Sequence, residues 1–98
     1  MIPGYGASRL REEIVASAAT IIVKADLIRL TGSTQVDNMF TPLNMGRDGV
    51  LVFIYASDGP VTISAAGNVA VLQILAQNRL YVYAFSNIAA KWIPHGVV

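Results

Sequence analysis

Val50-Leu51-Val52-Phe53-Ile54-Tyr55 is the stretch whose reading decides the fold. It is apolar at every position, so an extended chain here would be apolar on both faces. Gly49 precedes it and the turn residues Ser57-Asp58-Gly59-Pro60 follow closely, which leaves too little length for a helix of about 10–12 residues. A short, β-branched and aromatic run with no polar face reads as a central strand or as one sandwiched between layers. Downstream, Val61-Thr62-Ile63-Ser64 alternates apolar and polar, as a half-buried strand does. Ala65-Ala66-Gly67-Asn68 reads as a turn or bulge, Val69 to Ala76 as a strand, and Gln77-Asn78 as a tight turn. Val71, Leu72 and Leu75 would also suit a helical period, but Val69, Val71 and Ile74 are β-branched and the run is short. Arg79 to Phe85 sets Leu80, Val82 and Ala84 against Tyr81, Tyr83 and Phe85. After Ser86-Asn87, Ile88 to Ile93 makes the last short strand.

Upstream of the central stretch, Thr41-Pro42 and Asn44-Met45-Gly46-Arg47-Asp48-Gly49 carry turn chemistry. Thr34 to Met39 is a weaker strand, Asp26 to Thr31 a stronger one ending at Gly32, and Ile21-Ile22-Val23 a short β-branched run. Residues 8–19, SRLREEIVASAA, are the single helical candidate: Ser8 can cap the N-terminus, Glu12 and Glu13 suit its dipole, and Leu10, Ile14, Val15 and Ala18 fall at helical spacing. The expected organisation is an N-terminal arm or short helix over residues 1–19 and a β domain over residues 20–98. Short strands separated by frequent turns predict a mainly β fold, a compact β-sandwich or jelly-roll-like domain.

The chain has 98 residues, of which 54% are hydrophobic and only 13% charged. Soluble domains average about 25% charged residues. Charge is also unevenly placed: after Asp58 only Arg79 and Lys91 remain. A second half so poor in charge is expected to be core or to line an interface with partner chains. A net charge of +1 with scattered basic residues gives no footprint for nucleic acid. The most apolar run is far shorter than the roughly 20 residues of a membrane helix, and the start lacks the pattern of a secretory signal. No membrane partner is expected, and synthesis in the cytoplasm is.

The residues offer little chemistry. Without cysteine there is no thiol catalysis and no Cys-based zinc site. His95 is the one histidine, next to the C-terminus, and reads as a surface residue. Glu12 and Glu13 are adjacent and diverge, a poor acid–base pair. Asp26, Asp37, Asp48 and Asp58 sit in or near turns, where Asp caps backbone, and their spacing is unlike a calcium loop. Gly46-Arg47-Asp48-Gly49 lacks the Lys-Ser/Thr of a phosphate loop. Tyr55, Tyr81, Tyr83 and Trp92 could form a sugar platform, although aromatics alternating along strands more commonly serve core or interface. No enzyme, metal or cofactor is expected.

The order of certain pieces is similar to small β domains of tailed-phage virion proteins, found in head fibres, capsid decoration proteins and tail fibres. The pieces are Leu30-Thr31-Gly32, Phe40-Thr41-Pro42, Gly49-Val50-Leu51-Val52-Phe53-Ile54-Tyr55, Val61-Thr62-Ile63, Gly67-Asn68-Val69 and Ala90-Lys91-Trp92, spanning residues 20–94. Ala89-Ala90-Lys91 departs from the Asp-Gly that often precedes the final Trp. The resemblance implies a structural, non-enzymatic homotrimer, a capsid decoration or head-fibre protein on the virion surface. Its partner would be the major capsid protein or another virion protein. On that reading Tyr5, Arg9, Leu10 and Ile14 would dock onto the capsid, and Phe53, Tyr55, Leu72, Ile74, Tyr81 and Tyr83 would line the trimer seam. The alternative is a tail-fibre module that binds a receptor or a host-surface glycan.

Overall fold

A computed structural model describes residues 11–41 and 50–94. Nine strands are present among them: β1 (Glu12–Ala16), β2 (Thr20–Ile22), β3 (Leu27–Thr31), β4 (Asn38–Phe40), β5 (Leu51–Ala56), β6 (Val61–Ile63), β7 (Gln73–Leu75), β8 (Tyr81–Ser86) and β9 (Lys91–Pro94). The mainly β expectation holds. Residues 12–16, expected in a helix, form β1 instead. The β-branched pair Ile14-Val15 lies extended against β3, where β propensity and packing on the sheet outweigh a short helix that is marginal alone.

The chain winds between two layers. β1, β3 and β5 pair in parallel, and β8 and β9 add antiparallel to complete a five-stranded sheet in the order β1-β3-β5-β8-β9. Each passage from one parallel strand to the next crosses to the second layer, where β2 and β4 pair in parallel. Val36, just before β4, bridges Ile63 of β6 in parallel, and β7 returns antiparallel to β6. Three consecutive parallel neighbours distinguish this winding from a jelly roll, whose strands pair antiparallel.

One core fills the space between the layers. Ile28, Leu30, Val52, Ile54, Ala56 and Tyr83 come from the large sheet, and Ile21, Val36, Met39, Val61, Ile63 and Leu75 from the strands facing it. VLVFIY is central, as its composition predicts: β5 lies between β3 and β8. Its two faces are unequal, for Val52 and Ile54 are buried whereas Leu51 is exposed and Phe53 and Tyr55 are half-buried.

A hydrogen-bonded node locks the C-terminal strand to the middle of the chain. The Asn68 side chain accepts from the Met39 amide at 2.9 Å and donates to the Met39 carbonyl at 2.6 Å. The Trp92 indole donates to the same carbonyl at 2.8 Å, and the Trp92 amide donates to the Asn68 carbonyl at 2.8 Å. Lys91 Nζ donates to the Gly67 carbonyl at 3.2 Å. Gly67 is demanded by crowding, because a Cβ there would lie 2.3 Å from the Asp37 carbonyl oxygen. The pieces Gly67-Asn68-Val69 and Ala90-Lys91-Trp92, distant in sequence, therefore meet in one structural joint.

Candidate functional site

The outward side of the five-stranded sheet follows from its register. Glu12, Leu27, Phe53 and Val82 form one row, and Leu51, Ala84 and Ile93 another. Ile14, Arg29 and Tyr55 form a third. The rows next to these face the core, with Ile28 and Ile54 in one and Val52 and Tyr83 in another. The outward side is apolar over β5, β8 and β9, where Leu51 is 51% and Ile93 is 40% exposed. It turns polar over β1 and β3. There the Tyr55 hydroxyl donates to Glu12 Oε2, which holds that hydroxyl above its ordinary pKa, with burial and the Glu12 charge adding to the effect and Arg29 opposing it.

A second apolar patch lies on another ladder. Ile74 of β7 pairs with Thr62 of β6 and turns away from the buried Val61, Ile63 and Leu75. Ile74 is 59% exposed, and Val71 and Leu72 beside it are exposed too. At the tip of the β8–β9 hairpin, Ile88 is wholly exposed, and Ala90 takes a left-handed φ of 55°.

The residues expected to line a seam thus occupy three places. Phe53 and Tyr55 are on the outward face of the large sheet, and Leu72 and Ile74 are on the second patch. Tyr83 is fully buried and its hydroxyl donates to Gln73 Oε1 at 2.8 Å, so it is a core residue with no surface to offer a neighbour. Burial raises the Tyr83 pKa strongly, with the Tyr81 hydroxyl adding to it. Tyr81 packs half-buried against the core, and its hydroxyl accepts the Ala76 amide at 2.9 Å. Trp92 is also buried, which leaves Tyr55 as the one member of the aromatic set on an outward face. Of the expected docking residues, Ile14 lies on β1 at 64% exposure. Tyr5, Arg9 and Leu10 lie outside the described residues, as does His95.

The alternation in Arg79 to Phe85 was legible; which of its faces turns inward was not. The exposed Leu51, Leu80 and Ile93 were missed, although the row Leu51–Ala84–Ile93 needs only the strand register to be seen.

The polar clusters serve the fold. Ser64 Oγ donates to Asp37 Oδ1 at 2.5 Å and Gln35 Nε2 donates to the same oxygen at 2.9 Å, which together lower the Asp37 pKa. The Asp37 and Asn38 amides both donate to the Ala19 carbonyl. Asp58 accepts the Gly32 amide at 2.8 Å, tying the end of β3 to the turn after β5. Among the described residues no group of three or more His, Cys, Asp or Glu could hold a metal ion, and no helix is long and apolar enough to cross a membrane.

No family model matches the sequence, and no curated protein matches it. Among solved structures, a chain described as "Structure of a chaperone-substrate complex" is similar over 80% of this chain, at 12% identity and a TM-score of 0.54. This chain spans 14% of the length of that one. At such low identity the likeness is one of fold alone.

Proposed function

We propose that this chain is a non-enzymatic structural protein that works as a homotrimer, a capsid decoration or head-fibre protein bound to a virion surface. The observation that carries the self-assembly is that one subunit presents two different apolar patches. A threefold ring is heterologous: each subunit offers one patch to the next and a different one to the previous. The face around Leu51, Phe53, Val82 and Ile93 and the patch of Val71, Leu72 and Ile74 supply such a pair. Exposed apolar clusters of this kind mark association surfaces. The threefold number and the capsid partner rest on the resemblance in the order of Thr31-Gly32, Gly67-Asn68-Val69 and Ala90-Lys91-Trp92.

Light scattering coupled to size exclusion tests the reading, with an expected mass that is a whole multiple of three 10.5 kDa subunits. Leu51→Glu and Ile74→Asp should each break the ring and leave the subunit folded, since each places a charge in one half of the contact and both side chains are exposed in the subunit. A wild-type monomer at high concentration would remove the ring. Co-sedimentation with capsids of the parent virus then tests the lattice partner.

A further inference from the structure

The two edges of the five-stranded sheet are treated differently. The outer edge of β9 is sealed, because the Trp92 amide donates to the Asn68 carbonyl and the Trp92 carbonyl accepts the Ala70 amide. At the other edge, β1 has a neighbour only in β3 among the described residues. The Leu27 amide donates to the Arg11 carbonyl and the Ser17 amide donates to the Thr31 carbonyl. In a parallel ladder these two bonds fix the phase. The backbone groups of Glu13 and Val15 point to β3, and those of Glu12, Ile14 and Ala16 point outward.

We propose that β1 pairs with β1 of a second copy, antiparallel about a twofold axis at Ile14, joining two five-stranded sheets into one. The outward backbone phase suits this pairing. Ile14 would exchange its amide and carbonyl with the Ile14 of the second copy, and Glu12 would do so with Ala16 on both sides. The charges select the same register. Centred on Ile14, each Glu12 faces Ala16 and each Glu13 faces Val15, so no carboxylate opposes its own copy. Parallel, in-register pairing would stack Glu12 on Glu12 and Glu13 on Glu13, which is unfavourable. Glu13 keeps a partner within its own chain, Lys24 Nζ at 3.7 Å from Oε2. At the centre, the exposed Ile14 side chains would cover one another. Because the β9 edges are sealed, the pairing closes at two sheets and does not propagate.

This contact does not depend on the apolar patches. Without a threefold ring the pairing closes at two chains; with one, it joins ring to ring. Ile14→Pro removes one outward amide and leaves the bonds to β3 in place, a change that an edge strand tolerates. Ile14→Lys keeps the amide and sets two like charges on the axis. Both variants should lower the mass seen by light scattering, to that of the ring or of the monomer, while keeping the wild-type circular dichroism spectrum. The chain has no cysteine, so Ile14→Cys introduces a unique thiol. It should form a covalent dimer under mild oxidation much faster than Ile88→Cys, whose fully exposed site reports random collision. Unchanged mass in folded Ile14→Lys, or equal rates for the two cysteine variants, overturns the proposal. So does a monomeric protein whose Glu12, Ile14 and Ala16 amides resist hydrogen exchange, since the chain's own residues would then occupy the edge. If Leu51→Glu dissociates the assembly and Ile14→Lys does not, the edge pairing fails while the ring stands; the reverse result removes the ring alone.

Discussion

Gly67 illustrates how a single position is fixed by what surrounds it. A methyl group there would lie 2.2 Å from Asn38 Oδ1 and 2.3 Å from a backbone oxygen that cannot move aside. Gly67→Ala should cost about 1–3 kcal/mol in chemical denaturation, the usual range for overpacking. Asn68→Ala should cost a similar 1–3 kcal/mol, since it strips the Met39 amide of its side-chain partner. Asp37 gives a pH signature. Its folded pKa lies below 3.8, held down by the Ser64 and Gln35 hydrogen bonds. Its contribution is therefore complete above the unfolded value and disappears as pH falls through the folded one. Thermal midpoints should drop on acidification below about pH 4 in the wild type, and by less in Ser64→Ala. The sequence identified Gly67-Asn68 as turn residues, but nothing local to them says that they grip Met39 and Trp92. That knowledge resides in contacts across 29 and 53 positions of chain.

At the scale of elements, the strands were legible because composition and alternation are local. VLVFIY reads as a central or sandwiched strand, and β5 is the middle one although one of its faces is only partly covered. The segment 12–16 misled because Glu-Glu before Ile-Val satisfies a helix start as well as an edge strand. The choice is made by β3, which offers a parallel ladder from Leu27 to Thr31. The same limit applies to β8: both of its faces are apolar, so only pairing with β5 and β9 turns Tyr83 inward and Val82 and Ala84 outward. Val15→Pro and Ile14→Pro should therefore differ sharply. Proline at 15 deletes an amide aimed at β3 and should loosen β1, by about the 1–3 kcal/mol of an unmade backbone hydrogen bond. Proline at 14 deletes an amide aimed outward and should leave the subunit's denaturation midpoint nearly unchanged. A pair of denaturation curves, taken at concentrations where light scattering finds both variants monomeric, separates them.

For the whole molecule, the shortage of charge after Asp58 acquires a concrete meaning. Part of that half is core, through Val61, Ile63, Val69, Leu75, Tyr83 and Trp92. The remainder, Leu72, Ile74, Leu80, Ile88 and Ile93, stands outside, where the proposed ring would cover part of it. Composition could announce the surplus but could not divide it, since core and interface use the same residue types. The joint between Trp92 and Met39 has one further consequence. Trp92 is the sole tryptophan, and it is buried in van der Waals contact with Phe85, with the ring centroids 5.3 Å apart. Its fluorescence thus reports whether that joint is closed, and an unfolding that frees β9 should shift the emission to the red.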